Sequence, residues 1–190
     1  MLMHATQTLP VNYRKLCDID LEKNKKQYAL VNGLSVVVAL IVLMPVWLLA
    51  PEGAEFVHEL PGLLVLLAGM FAYIILHEAV HGVCFWAYSK QKPRFGWKSA
   101  YAYAASDCYY RKGPYLVIAL APVVLWGVVL ALLAALLPVE WYWTVQLIQL
   151  INLSGAAGDL YVTWRLCRMP SDILIQDAGV AMQVFAPAEE

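Results

Sequence analysis

The stretch Leu60-Pro-Gly-Leu-Leu-Val-Leu-Leu-Ala-Gly-Met-Phe-Ala-Tyr-Ile-Ile-Leu-His77-Glu78-Ala-Val-His81-Gly82-Val-Cys-Phe-Trp-Ala-Tyr88 decides how the chain is read. It is apolar almost without interruption, and a helix crossing hydrocarbon needs about 20 such residues. Yet His77, Glu78 and His81 sit inside it. A charged side chain at the centre of a membrane helix costs roughly 2.5–3.5 kcal/mol on insertion scales, and ionisable groups at that depth need partners. The run therefore reads as a membrane span that carries a chemical task.

Three more apolar runs flank it. Residues 30–50 are closed by Pro51, Glu52 and Gly53, residues 115–137 by Pro138, and residues 141–166 by Arg168 and Pro170. Hydrophobic residues make up 62% and charged residues 14% of the 190, against about 45–50% and about 25% in soluble domains. Mean hydropathy is +0.62. The expectation is an all-α membrane protein of about four transmembrane helices, near 30–50, 60–88, 115–137 and 141–166. An N-terminal segment, 1–29, precedes this membrane domain, and a tail, 167–190, follows it. Trp47, Trp86, Tyr88, Tyr115, Trp141, Tyr142, Trp143 and Trp164 fall near the span ends, where interfacial aromatics gather.

All 13 Lys and Arg residues fall in segments that this topology puts on one side, whereas the opposite loops hold Glu52, Glu55, Glu59 and Glu140. The positive-inside rule then places both termini in the cytosol. No cleaved signal peptide is expected, because the first apolar run is too long for one. A net charge of -1 argues against nucleic acid, which requires a basic face. Cys17, Cys84, Cys108 and Cys167 form no CxxC pair and read as free thiols. The loop 89–113 is too long for a plain connector. A small cytosolic β-element is compatible with the period-2 stretch Ser99–Tyr103 and with Asp172–Gln176, a turn at Asp177–Gly179, and Val180–Phe185. A loose loop and tail fit these stretches equally well.

His77-Glu78-Ala-Val-His81 is an HExxH pentad. Residues four apart share a helix face, so both imidazoles can reach one ion, and Glu78 stands where it can take a proton from water on that ion. Zinc would bring that water's pKa to about 7. A purely structural polar cluster between helices is the competing reading. A hydrolytic zinc site uses a third protein ligand and leaves a position for water. His4 and His58 belong to polar segments at the wrong depth, and Glu140 is on the wrong side. Asp159 lies seven residues before Leu166, as His81 lies seven before Tyr88, and each is about 10 Å inside the same boundary. Gly155, Ala156, Ala157 and Gly158 beside it permit close helix approach. Pairing with Arg165 or snorkelling is the alternative for Asp159, and Asp107 is the rival ligand. Asn152 could contact substrate or a developing oxyanion, or it could join neighbouring helices.

These pieces resemble a known group. HExxH in one membrane helix with an Asp from a later helix is similar to the site-two protease class of intramembrane zinc metalloproteases. Closer still is a family of small bacterial membrane proteins known as putative zincin peptidases. The resemblance lies in Leu76–Gly82, Phe95-Gly-Trp-Lys-Ser-Ala-Tyr101, Arg111-Lys-Gly-Pro-Tyr-Leu116 leading to Ala121-Pro122, and Asn152–Asp159. The order Gly158-Asp159-Leu160 differs from the Leu-Asp-Gly usual in site-two proteases. The resemblance implies Zn2+ held by His77, His81 and Asp159, Glu78 as catalytic base, and hydrolysis of peptide bonds in membrane or membrane-proximal segments. A non-catalytic metal-binding scaffold or regulator is the alternative function. Diiron oxidation would need many more than the 4 histidines present. Transport lacks a visible pathway.

Overall fold

The computed structural model describes residues 5–21, 23–56, 59–98, 101–179 and 181–188. In chain order its elements are β1 (Ala5–Thr6), β2 (Tyr13–Asp20), α1 (Lys25–Leu48), α2 (Leu60–Ser89), β3 (Arg94–Lys98), β4 (Tyr101–Ala105), β5 (Tyr109–Arg111), α3 (Lys112–Leu136), α4 (Tyr142–Gly155), α5 (Ala157–Cys167), β6 (Leu174–Asp177) and β7 (Ala181–Pro187).

The fold is not all-α. Five strands form an antiparallel sheet in the order β1-β5-β6-β7-β2, and β3 pairs with β4 in a separate hairpin. The tail hairpin β6–β7 belongs to this sheet, and so does the N-terminal segment, which the sequence reading left without structure. In β2 the residues Cys17 and Ile19 turn inward while Arg14, Leu16 and Asp18 stay exposed. Four charges in eight residues hide that alternation, and a register irregularity between Lys15 and Cys17 interrupts it.

The fourth apolar run is also not one helix. It breaks at Ala156, between α4 and α5, where Gly155-Ala-Ala-Gly158 puts two of the residues least disposed to helix on either side. Among the described residues, three helices are long and apolar enough to cross a membrane: α1, α2 and α3. Their outward faces are greasy: Leu40, Ile41 and Met44 on α1, Leu64, Leu67 and Phe71 on α2, and Val124, Val128 and Leu132 on α3 are all exposed. A water-soluble packing would bury such side chains, whereas lipid accepts them. No residue of α1 is buried.

The tight core lies instead where helices meet the sheet. Ile19, Phe85, Tyr110, Ile118, Leu166, Ile173, Ile175 and Val184 are each at most 1% exposed and belong to one cluster. The β3–β4 hairpin runs back along α2. The Phe95 ring lies over Gly82, where a side chain would collide with it, and Trp97 meets Phe71 with ring centroids 6.3 Å apart. At the other end of the helices, Tyr142 donates to the Val46 carbonyl and Trp143 to the Ala54 carbonyl, which fixes the loop after α1 onto α4.

The β6–β7 turn is pinned by Gly179, whose φ of +95° suits glycine and whose Cα faces the Tyr103 ring at a distance that leaves no room for a Cβ. Gly179→Ala should therefore destabilise the protein by about 1–3 kcal/mol, measured as a lower thermal unfolding midpoint in detergent. Gly33→Ala in α1, where an added Cβ meets nothing within 4 Å, should leave that midpoint unchanged or raise it.

Candidate metal centre

Along α2 the buried stripe includes Tyr73, His77, His81 and Phe85, one residue per turn, so three of the four are polar groups facing the helix bundle. Opposite them stands Asp159 in the first turn of α5. The break at Ala156 creates that first turn, and a carboxylate there is favoured by the positive end of the helix dipole. His77 Nε2 lies 3.2 Å from Asp159 Oδ2, and His81 Nε2 lies 3.5 Å from Asp159 Oδ1. Among the described residues, one ligand atom from each of these three side chains falls within 4.8 Å of the others. Tetrahedral zinc with bonds of about 2.0–2.1 Å holds its ligand atoms about 3.3 Å apart, so the spacing suits such an ion.

Hydrogen bonding reports on the histidine tautomers. His81 Nδ1 is 2.9 Å from the Ile118 carbonyl. A carbonyl only accepts, so Nδ1 carries the hydrogen and donates. That carbonyl is available because position 122, four residues on in α3, is Pro122, which has no N–H to give it. His77 Nδ1 is 2.9 Å from the Tyr73 hydroxyl, which itself donates to Asn152 Oδ1 at 2.9 Å. The Asn152 amide is oriented unambiguously, because its Nδ2 donates to the Val123 carbonyl. With its one hydrogen given to Asn152, the Tyr73 oxygen accepts from His77 Nδ1–H. With Nδ1 committed in each ring, both Nε2 atoms face the Asp159 carboxylate, where each can donate a hydrogen to it or offer a lone pair to a metal ion. Two imidazoles with one carboxylate match zinc chemistry.

Glu78, half-buried, borders the same cavity of about 390 Å³. Its Oε2 accepts from the Ala104 N–H of β4 at 2.7 Å. Tyr115 and Asp177 also line the cavity. Asp177 accepts from the Tyr115 hydroxyl and, at 2.7 Å, from the Gly179 N–H, while its carbonyl accepts from Ser106 N–H. Burial pushes the Asp177 carboxyl up to about 6, against the pull of those two donors.

The structure thus brings His77, His81, Asp159 and Glu78 around one cavity. Asn152 stands apart from it. Fully buried, it spends Oδ1 on Tyr73 and Nδ2 on Val123 and Gln149, so its link to the site runs through Tyr73. Asp107 pairs with Arg94 at 2.7 Å on the surface and is no third ligand. Glu140 sits in a short 3₁₀ turn beyond the end of α3 remote from Ile118. His4 and His58 lie outside the described residues. Sequence reasoning gave no role at the site to Tyr73, Ile118, Pro122, Tyr115 or Asp177, although Tyr115, Pro122 and Asp177 were noticed for other reasons. Two of these had a signal: Tyr73 precedes His77 by one turn, and a proline within an apolar helix always frees the carbonyl four residues earlier.

A family profile described as "Putative zincin peptidase" matches residues 70–174, more than half of the chain. No curated protein and no solved structure matches the chain significantly.

Asp159→Ala should reduce zinc bound by the detergent-purified protein from about one equivalent to a small fraction. Asp107→Ala should retain the full equivalent, as read by metal analysis after dialysis.

Proposed function

We propose, since the chain belongs to the zincin peptidase family matched above, that it is a membrane-embedded zinc endopeptidase acting on membrane or membrane-proximal protein segments. The observation that carries this reading is the convergence of two Nε2 atoms and one carboxylate beside Glu78, within helices whose outer faces are apolar. The charge distribution supports the sheet and both termini lying on the cytosolic side, and the resemblance to small bacterial membrane proteins supports a bacterial plasma membrane as the location.

His77, His81 and Asp159 would hold the ion, leaving a position open toward the cavity. When bound, zinc supplies Lewis acidity, acidifying water and polarising a carbonyl. Glu78 takes a proton from the attacking water as its oxygen bonds to the scissile carbonyl carbon. It then returns that proton to the amide nitrogen as the C–N bond breaks. For this the Glu78 carboxylate exchanges its bond from Ala104 N–H for one to water. The substrate lies extended beside β4, whose pairing with β3 uses only one of its edges. Leu21, Val31, Phe85 and Met182 offer it apolar walls.

Glu78→Gln should keep its zinc and lose about 10²–10⁴-fold in cleavage, whereas His77→Ala should lose both. The measurement is mass spectrometry of single-span reporter peptides co-reconstituted in liposomes, with bound zinc quantified in parallel. Undiminished cleavage by the Gln variant would refute the assignment.

A further inference from the structure

Both imidazoles of the site are held from behind, and by different means. His81 is held by a backbone carbonyl that exists as a free acceptor only because of a proline. The Ile118 residue is 1% exposed, so without a partner its carbonyl would be a buried orphan. A non-proline residue at position 122 would donate to it from the next helical turn and compete with His81 Nδ1. His77 is held by a relay that runs from α4 through Asn152 and Tyr73 to Nδ1, and Asn152 is in turn anchored on α3 at Val123. The Tyr73 ring also packs edge-on to His77 at 5.7 Å and to Trp126 at 6.4 Å. Neither Pro122 nor Tyr73 supplies a ligand atom, and both act through a histidine.

We infer that Pro122, through the carbonyl it frees, and Tyr73, through Asn152, are positioning residues that lock His81 and His77 as Nδ1–H tautomers with Nε2 aimed at the metal. The inference rests on the zinc reading above. It adds that α3 acts on the site through a missing backbone hydrogen bond. Partners of this kind typically change metal affinity by 10–100-fold. The two devices act through different hydrogen bonds, although Val123, which anchors Asn152, adjoins Pro122, so each variant should disturb its own histidine first.

The test uses the full chain in detergent, with zinc affinity measured by competition with a chromophoric chelator. Ring tautomers are read from ¹⁵N-histidine NMR. Pro122→Ala should weaken zinc binding by about 10–100-fold and shift the His81 ring nitrogens while leaving those of His77 in place. Tyr73→Phe keeps the ring packing, and should give a similar loss with the shifts confined to His77. Pro45→Ala restores an N–H to α1, where the proline also interrupts the helix, and should change neither quantity. Wild-type affinity in both Pro122→Ala and Tyr73→Phe would overturn the inference while leaving the zinc site standing. An equal loss in Pro45→Ala would also overturn it, by assigning the effect to helix straightening. Failure of the wild-type chain to bind zinc would remove the site itself, and the inference with it.

Discussion

Two imidazole Nε2 atoms and a carboxylate meet across a few ångströms, among helices whose other faces are apolar. Such a cluster is stable only with a proton or a metal ion shared at its centre. The rest of the architecture serves this juxtaposition. The α2 stripe presents both histidines, the break at Ala156 brings Asp159 to a helix start, and α3 contributes the carbonyl that turns His81.

The sheet has a second, less direct part in the site. Its β6–β7 turn carries Asp177, which ties together α3 through Tyr115 and the end of β4 through Ser106. The β3–β4 hairpin meanwhile lies on α2 because Gly82 has no side chain, and this brings the Ala104 N–H to Glu78. One wall of the cavity is therefore helical and buried, and the other is a strand with backbone groups on display. That build is what the proposed peptidase reading calls for, a fixed ligand set on one side and a strand edge on the other.

Much of this was legible in the sequence. The HExxH pentad within an apolar run leaves few alternatives, since ionisable residues do not persist at that depth without partners. Counting helical rise from the span ends put Asp159 level with His81, although the count assumed one continuous helix and the chain breaks just before Asp159. The β-sheet was only half visible. The tail hairpin was one of two equal readings of Asp177-Ala-Gly179 between apolar stretches, the other being a loose tail, and β2 is so charged that it read only as part of a polar N-terminal segment. Asn152 was noticed for its polarity, and two readings stayed open for it, a contact to substrate and a link between helices; its bonds to Tyr73 and Val123 are of the second kind. Nothing in its sequence position distinguishes a group that touches substrate from one that orients Tyr73. That difference depends on helix rotation, which composition does not encode.

Zinc-edge X-ray absorption on the zinc-loaded, detergent-purified chain tests the central claim most directly. The account predicts a first shell of nitrogen and oxygen at about 2.0–2.1 Å, with the outer-shell scattering of two imidazoles and no sulfur. A shell containing sulfur at about 2.3 Å, or one lacking imidazole scattering, would contradict it.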